Sequence, residues 1–96
     1  MGHTPLHEAI VREARMRGMA GATVWRGMLG YGRSSRIRSA KVLDLSSDLP
    51  LICELVDDEA KTTAFLEVLH DLFEQAQCGG LITHEKVHIV KYTSGA

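Results

Sequence analysis

The residues best suited to chemistry lie in one stretch, Gly27-Met-Leu-Gly30-Tyr31-Gly32-Arg33-Ser34-Ser35-Arg36-Ile37-Arg38. Glycines at 27, 30 and 32 interrupt an apolar run, and Arg33, Ser34, Ser35 and Arg36 follow directly. Glycine lets a backbone adopt positive φ and approach a ligand closely. Arginine supplies a planar, permanent charge that matches phosphate or carboxylate. A glycine-hinged, arginine-rich loop at the end of a strand is therefore a candidate anion site. The same composition also suits a long solvated hairpin loop.

The remaining reactive side chains form no comparable group. His3, His7, His70, His84 and His88 make no metal-type spacing with cysteines or carboxylates. His84 and His88 would share one face of an extended strand with Lys86 between them, and that ammonium would repel a cation. Asp57, Asp58 and Glu59 read as caps of a following helix. No Ser-His-Asp or Cys-His order stands out and no general base can be named, so the chain reads as a non-enzyme with no metal and no cofactor. Cys53 sits in an apolar strand and reads as inert. With Cys78 it makes no metal spacing, which points to reduced thiols and a cytoplasmic setting.

The charge pattern narrows the partners. Of 11 basic side chains in the chain, most lie between Arg12 and Lys41, opposed there only by Glu13. Lys61 is the one base between Val42 and Glu85, a stretch rich in carboxylates. Such segregation suits an anion site, or two surfaces that pair between subunits. The basic residues are not interleaved with aromatics and the net charge is only -1, so nucleic acid is not an expected partner. No apolar run approaches about 20 residues, which excludes a membrane helix.

A chain of 96 residues forms one domain, here taken as 1–96, with a small core. Thr4 as N-cap and Pro5 at the first position predict a helix over about 5–17, stopped by Gly18. Ala22 to Leu29 reads as a strand bounded by glycines. The Gly30 to Ser39 loop follows, and Lys41 to Leu45 is apolar enough for a strand. Ser46-Ser47-Asp48 is turn chemistry. Leu51 to Val56 is nearly apolar throughout and predicts a strand covered on both faces. Phe65, Leu66, Leu69, Leu72, Phe73 and Ala76 fall on one helical stripe, and Gly79-Gly80 is expected to end that helix. Leu81-Ile82 and Val87 to Tyr92 make a last extended segment.

The order α, β, β, α, β predicts an α+β fold. It is the ferredoxin-like βαββαβ sandwich read as αββαβ, with the N-terminal strand missing. In the full pattern that first strand lies beside the last one. Without it, the last strand's backbone groups need another partner. Residues upstream of Met1 are the expected source, with another subunit or a different packing as alternatives.

Read together, Pro5-Leu-His-Glu-Ala-Ile, Gly18-Met-Ala-Gly-Ala-Thr-Val24, Arg26-Gly-Met-Leu-Gly-Tyr-Gly32, Ser35-Arg-Ile, Asp48-Leu-Pro50, Glu54-Leu-Val-Asp57 and Glu85-Lys-Val resemble the uncharacterised PII-like family. That family is a branch of the PII signal-protein superfamily. The resemblance implies a homotrimer with small-ligand sites in the clefts between subunits. By it, Thr23 looks like the strand threonine of the nucleotide site. Gly30-Tyr31-Gly32 looks like the turn that opens the effector loop, and Lys86 looks like the phosphate-contacting lysine. Thr83-His84-Glu85 stands where PII proteins carry a glycine-rich phosphate loop, and the loop is too short for their modified tyrosine tip. The expected ligand residues are Thr23, Gly30, Tyr31, Gly32, Arg33, Ser34, Arg36 and Lys86. The expected function is binding of a nucleotide or other small anion, signalled to a target through the 30–39 loop. The alternative is a ligand-independent module whose Arg33, Arg36 and Arg38 dock on an acidic surface of a membrane transport protein.

Overall fold

The alternation in Gly21–Arg26 dictates a strand with two unlike faces: Ala22 and Val24 point one way, Thr23 and Trp25 the other. The computed structural model describes residues 4–31, 33, 38–39 and 50–95. In it Gly21–Arg26 is β1, and it pairs antiparallel with β4, Leu51–Val56. The register sets Thr23 opposite Glu54 and Trp25 opposite Ile52. Two helices, α1 (Leu6–Met16) and α2 (Glu59–Ala76), complete the principal elements. Ile10, Ala14 and Phe65 form the buried core, and Ala22, Cys53, Leu55, Leu69, Leu72 and Phe73 pack around it. The fold is α+β, with both helices and the inward residues of β1 and β4 sharing one cluster, as the ferredoxin-like αββαβ reading expects.

Several boundaries differ from the sequence expectations. Pro5, not Thr4, is the N-cap of α1, and no side chain caps it. Its extended backbone aims the Pro5 carbonyl at the amides of Glu8 and Ala9, each at 3.1 Å. Gly18 does end the first helix, at φ 75°. At α2, Asp58 is the N-cap and its side chain accepts from the Lys61 amide at 2.9 Å. The far end is set by Gln77, which takes the left-handed conformation at φ 52°, so Gly79-Gly80 lies beyond the helix.

The strand predicted to reach Leu29 stops at Arg26. The Gly27 amide turns to the Pro50 carbonyl at 2.7 Å. Leu29–Gly30 then forms a separate β2 that pairs with β3, Arg38–Ser39. Part of the expected 30–39 loop is thus a ladder. The strand expected over Lys41 to Leu45 lies outside the described residues. β4 is covered on one face only: Ile52 is 46% exposed and Glu54 is exposed, because both helices pack on the other side. The last strand of the expected α, β, β, α, β order is not formed: residues 78–95 carry no strand among the described residues.

Candidate functional site

The outward residues of β1 and β4 leave a cleft on the face away from the core. Its volume is ≈ 380 Å³, and its walls include Thr23, Glu54, Val56, Asp57, Ile89 and Tyr92. Three separate stretches meet there: β1, the end of β4 with the turn into α2, and the last extended segment. Strand pleating explains the first two, since Thr23 and Glu54 are cross-strand partners on one face.

Asp57 holds the cleft's rim together. Its Oδ2 accepts from the Ala20 amide at 2.9 Å, and its Oδ1 accepts from the Asp58 amide at 2.7 Å. The Asp58 amide, then the Ala20 amide, with the Lys61 charge as a smaller cause, hold the Asp57 carboxyl below its ordinary value. Lys61 in turn donates through Nζ to the Gly18 carbonyl at 3.3 Å. One carboxylate and one ammonium thus tie the start of β1 to the start of α2. The Cys53 thiol, on the inward face, is pushed up by burial.

The last segment is tethered at both ends. The Thr62 hydroxyl lies 3.1 Å from the Asp58 and Glu59 carbonyls and 3.0 Å from His84 Nε2. The hydroxyl thus joins the first turn of α2 to His84. The Tyr92 hydroxyl donates to the Ala20 carbonyl. These two anchors set Ile89 and Tyr92 along the cleft.

The residues expected from sequence fall in more than one place. Thr23 lines the cleft, whereas Gly30, Tyr31, Arg33 and Lys86 do not. Gly30 is paired with Arg38 in the β2–β3 ladder, and a Cβ on Gly30 would stand 3.3 Å from Pro50 Cγ. A side chain at 30 would therefore press on the proline that leads into β4. Tyr31 is 71% exposed, and Arg33 and Lys86 are exposed. Gly32, Ser34 and Arg36 lie outside the described residues. The cleft's carboxylates and Tyr92 escaped sequence reasoning. Asp57 was read only as a cap, and nothing local marks Tyr92 as a partner of Ala20.

The electrostatics of this cleft do not suit a phosphate on their own. Glu54, Asp57 and Asp58 line it, and like charge repels an anion. Among the described residues no group of three His, Cys, Asp or Glu could hold a metal ion. No helix among them is long and apolar enough to cross a membrane.

The Asp57 geometry yields a pH prediction. Its carboxyl is lowered from the ordinary 3.8 in the folded chain, so the folded state binds that proton more weakly than the unfolded state. The stability it contributes is complete above the unfolded value and is lost as pH falls through the lower folded one. Urea midpoints followed from pH 6 to pH 3 should therefore drop less steeply for Asp57→Asn than for the unaltered chain. Parallel profiles would show that the two amide bonds carry no charge dependence.

Residues 1–89 match the family DUF190, described as "Uncharacterized ACR, COG1993". A "UPF0166 protein" from Aquifex aeolicus is 37% identical over 86 residues, covering 90% of this chain and 77% of the relative. A UPF0166 protein from Methanocaldococcus jannaschii is 33% identical over 86 residues, covering 90% and 76%. A further Aquifex aeolicus UPF0166 protein is 32% identical over 72 residues, covering 75% of this chain and 71% of its own. No solved structure matches the chain.

Proposed function

The chain belongs to the uncharacterised DUF190 family, and on that premise we propose that it is a PII-like regulatory protein of the cytoplasm. It binds a nucleotide or another small anion in clefts between the subunits of a homotrimer, and the 30–39 loop passes the bound state to a target protein. It acts by binding rather than by turnover.

The observation that carries this reading is the β2–β3 ladder. Leu29 pairs with Ser39 and Gly30 with Arg38, so the chain between them is a loop closed at its root. Exposed Tyr31 and Arg33 lie within that loop. The guanidinium of Arg33 is thereby carried next to the ladder, where a planar permanent charge suits an anion. The carboxylates of the cleft support the inter-subunit part of the reading. They require that cations reach an anion from elsewhere, and Arg33, Arg36 and Lys86 are the cations proposed.

Calorimetry and thermal shift against ATP, ADP, AMP, cyclic AMP and inorganic phosphate test the proposal. At least one should bind, and Arg33→Ala with Arg36→Ala should weaken that binding about tenfold or more, the loss of one or two charge-assisted hydrogen bonds. Flat responses from a folded assembly would sink it. A target complex captured equally with and without these ligands would favour docking alone.

A further inference from the structure

The described residues leave a series of large apolar side chains in water. Among the described residues, only Ile10, Ala14 and Phe65 are buried hydrophobics. Much of what a partner could cover sits in two places. One is the outward face of the sheet, with Trp25 44% and Ile52 46% exposed; the other is the last segment, with Val87 59%, Ile89 53% and Val90 88% exposed.

These two places are complementary in backbone as well as in surface. The sheet of β1 and β4 has two strands, so each strand has one free edge among the described residues. Residues 86–92 are rich in β-branched and aromatic side chains and form no strand among the described residues. At about 3.3 Å per residue, these seven residues are long enough to run the whole length of the six-residue β4. Charge chooses between the two edges. Lys86 opens the segment and Lys91 lies near its end, while Glu54 lies in β4 and Asp57 and Asp58 follow it. β1 ends instead on Arg26.

We infer that residues 86–92 of one copy add as a third strand to the free edge of β4 in a second copy of this chain. The His84–Thr62 and Tyr92–Ala20 bonds already hold both ends of the segment on its own copy. It is therefore presented in an ordered form, which lowers the entropy cost of pairing. This inference rests on the assembly half of the proposed function and needs no ligand.

Amide hydrogen exchange on the full chain, alongside its mass in solution at several concentrations, tests the pairing. The chain should assemble. Amides of 86–92 and of β4 should be protected in the assembly and lose that protection on dilution to monomer. Ile89→Pro and Val90→Pro, one for each side of the segment, remove backbone donors that make no backbone bond among the described residues. At least one should abolish assembly while leaving the helical circular dichroism unchanged. An assembly in which 86–92 exchanges freely would overturn the inference and leave the assembly reading standing. A chain that stays monomeric at every concentration would overturn both.

Discussion

Replacing Phe65 by alanine is expected to remove about 3–5 kcal/mol of stability, the range for deleting a buried aromatic ring. Domains of this size are stable by roughly 0.05–0.15 kcal/mol per residue. The loss is therefore a large share of the total, and much of the chain should be unfolded in the absence of denaturant at 37 °C. The reason is the smallness of the core. Phe65 is 4% exposed and meets Ile10 at 5% and Ala14 at 1%. The residues around this trio are only half-buried, so few atoms can close in on the cavity. Ile10→Val removes one methylene from the same cluster and should cost only about 0.5–1.5 kcal/mol. Urea unfolding of the three proteins at one fixed concentration checks the order, because an assembling chain gains stability with concentration. A Phe65→Ala loss below that of Ile10→Val would mean that this trio is not the centre of the fold.

The same trio shows what could be read from the sequence and what could not. Phe65 was placed in the core by helical spacing, a local property of α2. Asp58 as its cap, Gly18 as the end of α1, and Leu51 to Val56 as a strand were legible for the same reason: each is decided within a few residues. Where several residues compete, local signals mislead. Gly79-Gly80 is the stronger stop by composition, yet Gln77 takes the left-handed turn and frees the glycines for another task. The two-residue β3 had no signal of its own. Its partner β2 is placed by contacts distant in sequence: the Gly27 amide bonds the Pro50 carbonyl, and a Cβ on Gly30 would meet the same proline. The cleft was the least legible feature. Asp57 and Ala20 are 37 positions apart, and Tyr92 and Ala20 are 72 apart, so only the folded chain brings them together. The segregation of charge was visible, but its consequence was not. Thr23, expected beside cations, faces Glu54 across the sheet.

Gly80→Ala is expected to cost about 1–3 kcal/mol, the range for forcing atoms into a packed site, although Gly80 lies in no helix or strand. A Cβ there would stand 2.5 Å from Phe73 Cε2 and 3.0 Å from Phe73 Cζ. The ring cannot swing away freely, since Phe73 packs against the core cluster. Either the ring is driven from that cluster or the chain leaving α2 is pushed outward. Both alternatives reach the functional surface, because the displaced chain leads within a few residues to His84 and then to the segment that walls the cleft. Removing the ring should remove the conflict. In a Phe73→Leu background the same Gly80→Ala change should cost clearly less, by the coupling of 0.5–3 kcal/mol found between touching residues. Denaturation of the two single variants and the double variant measures that coupling. Additive losses would mean that the ring and Gly80 do not meet in solution. A coupled loss would assign Gly80 its role: it lets the last segment pass beneath Phe73 and reach the anchors at Thr62 and Ala20.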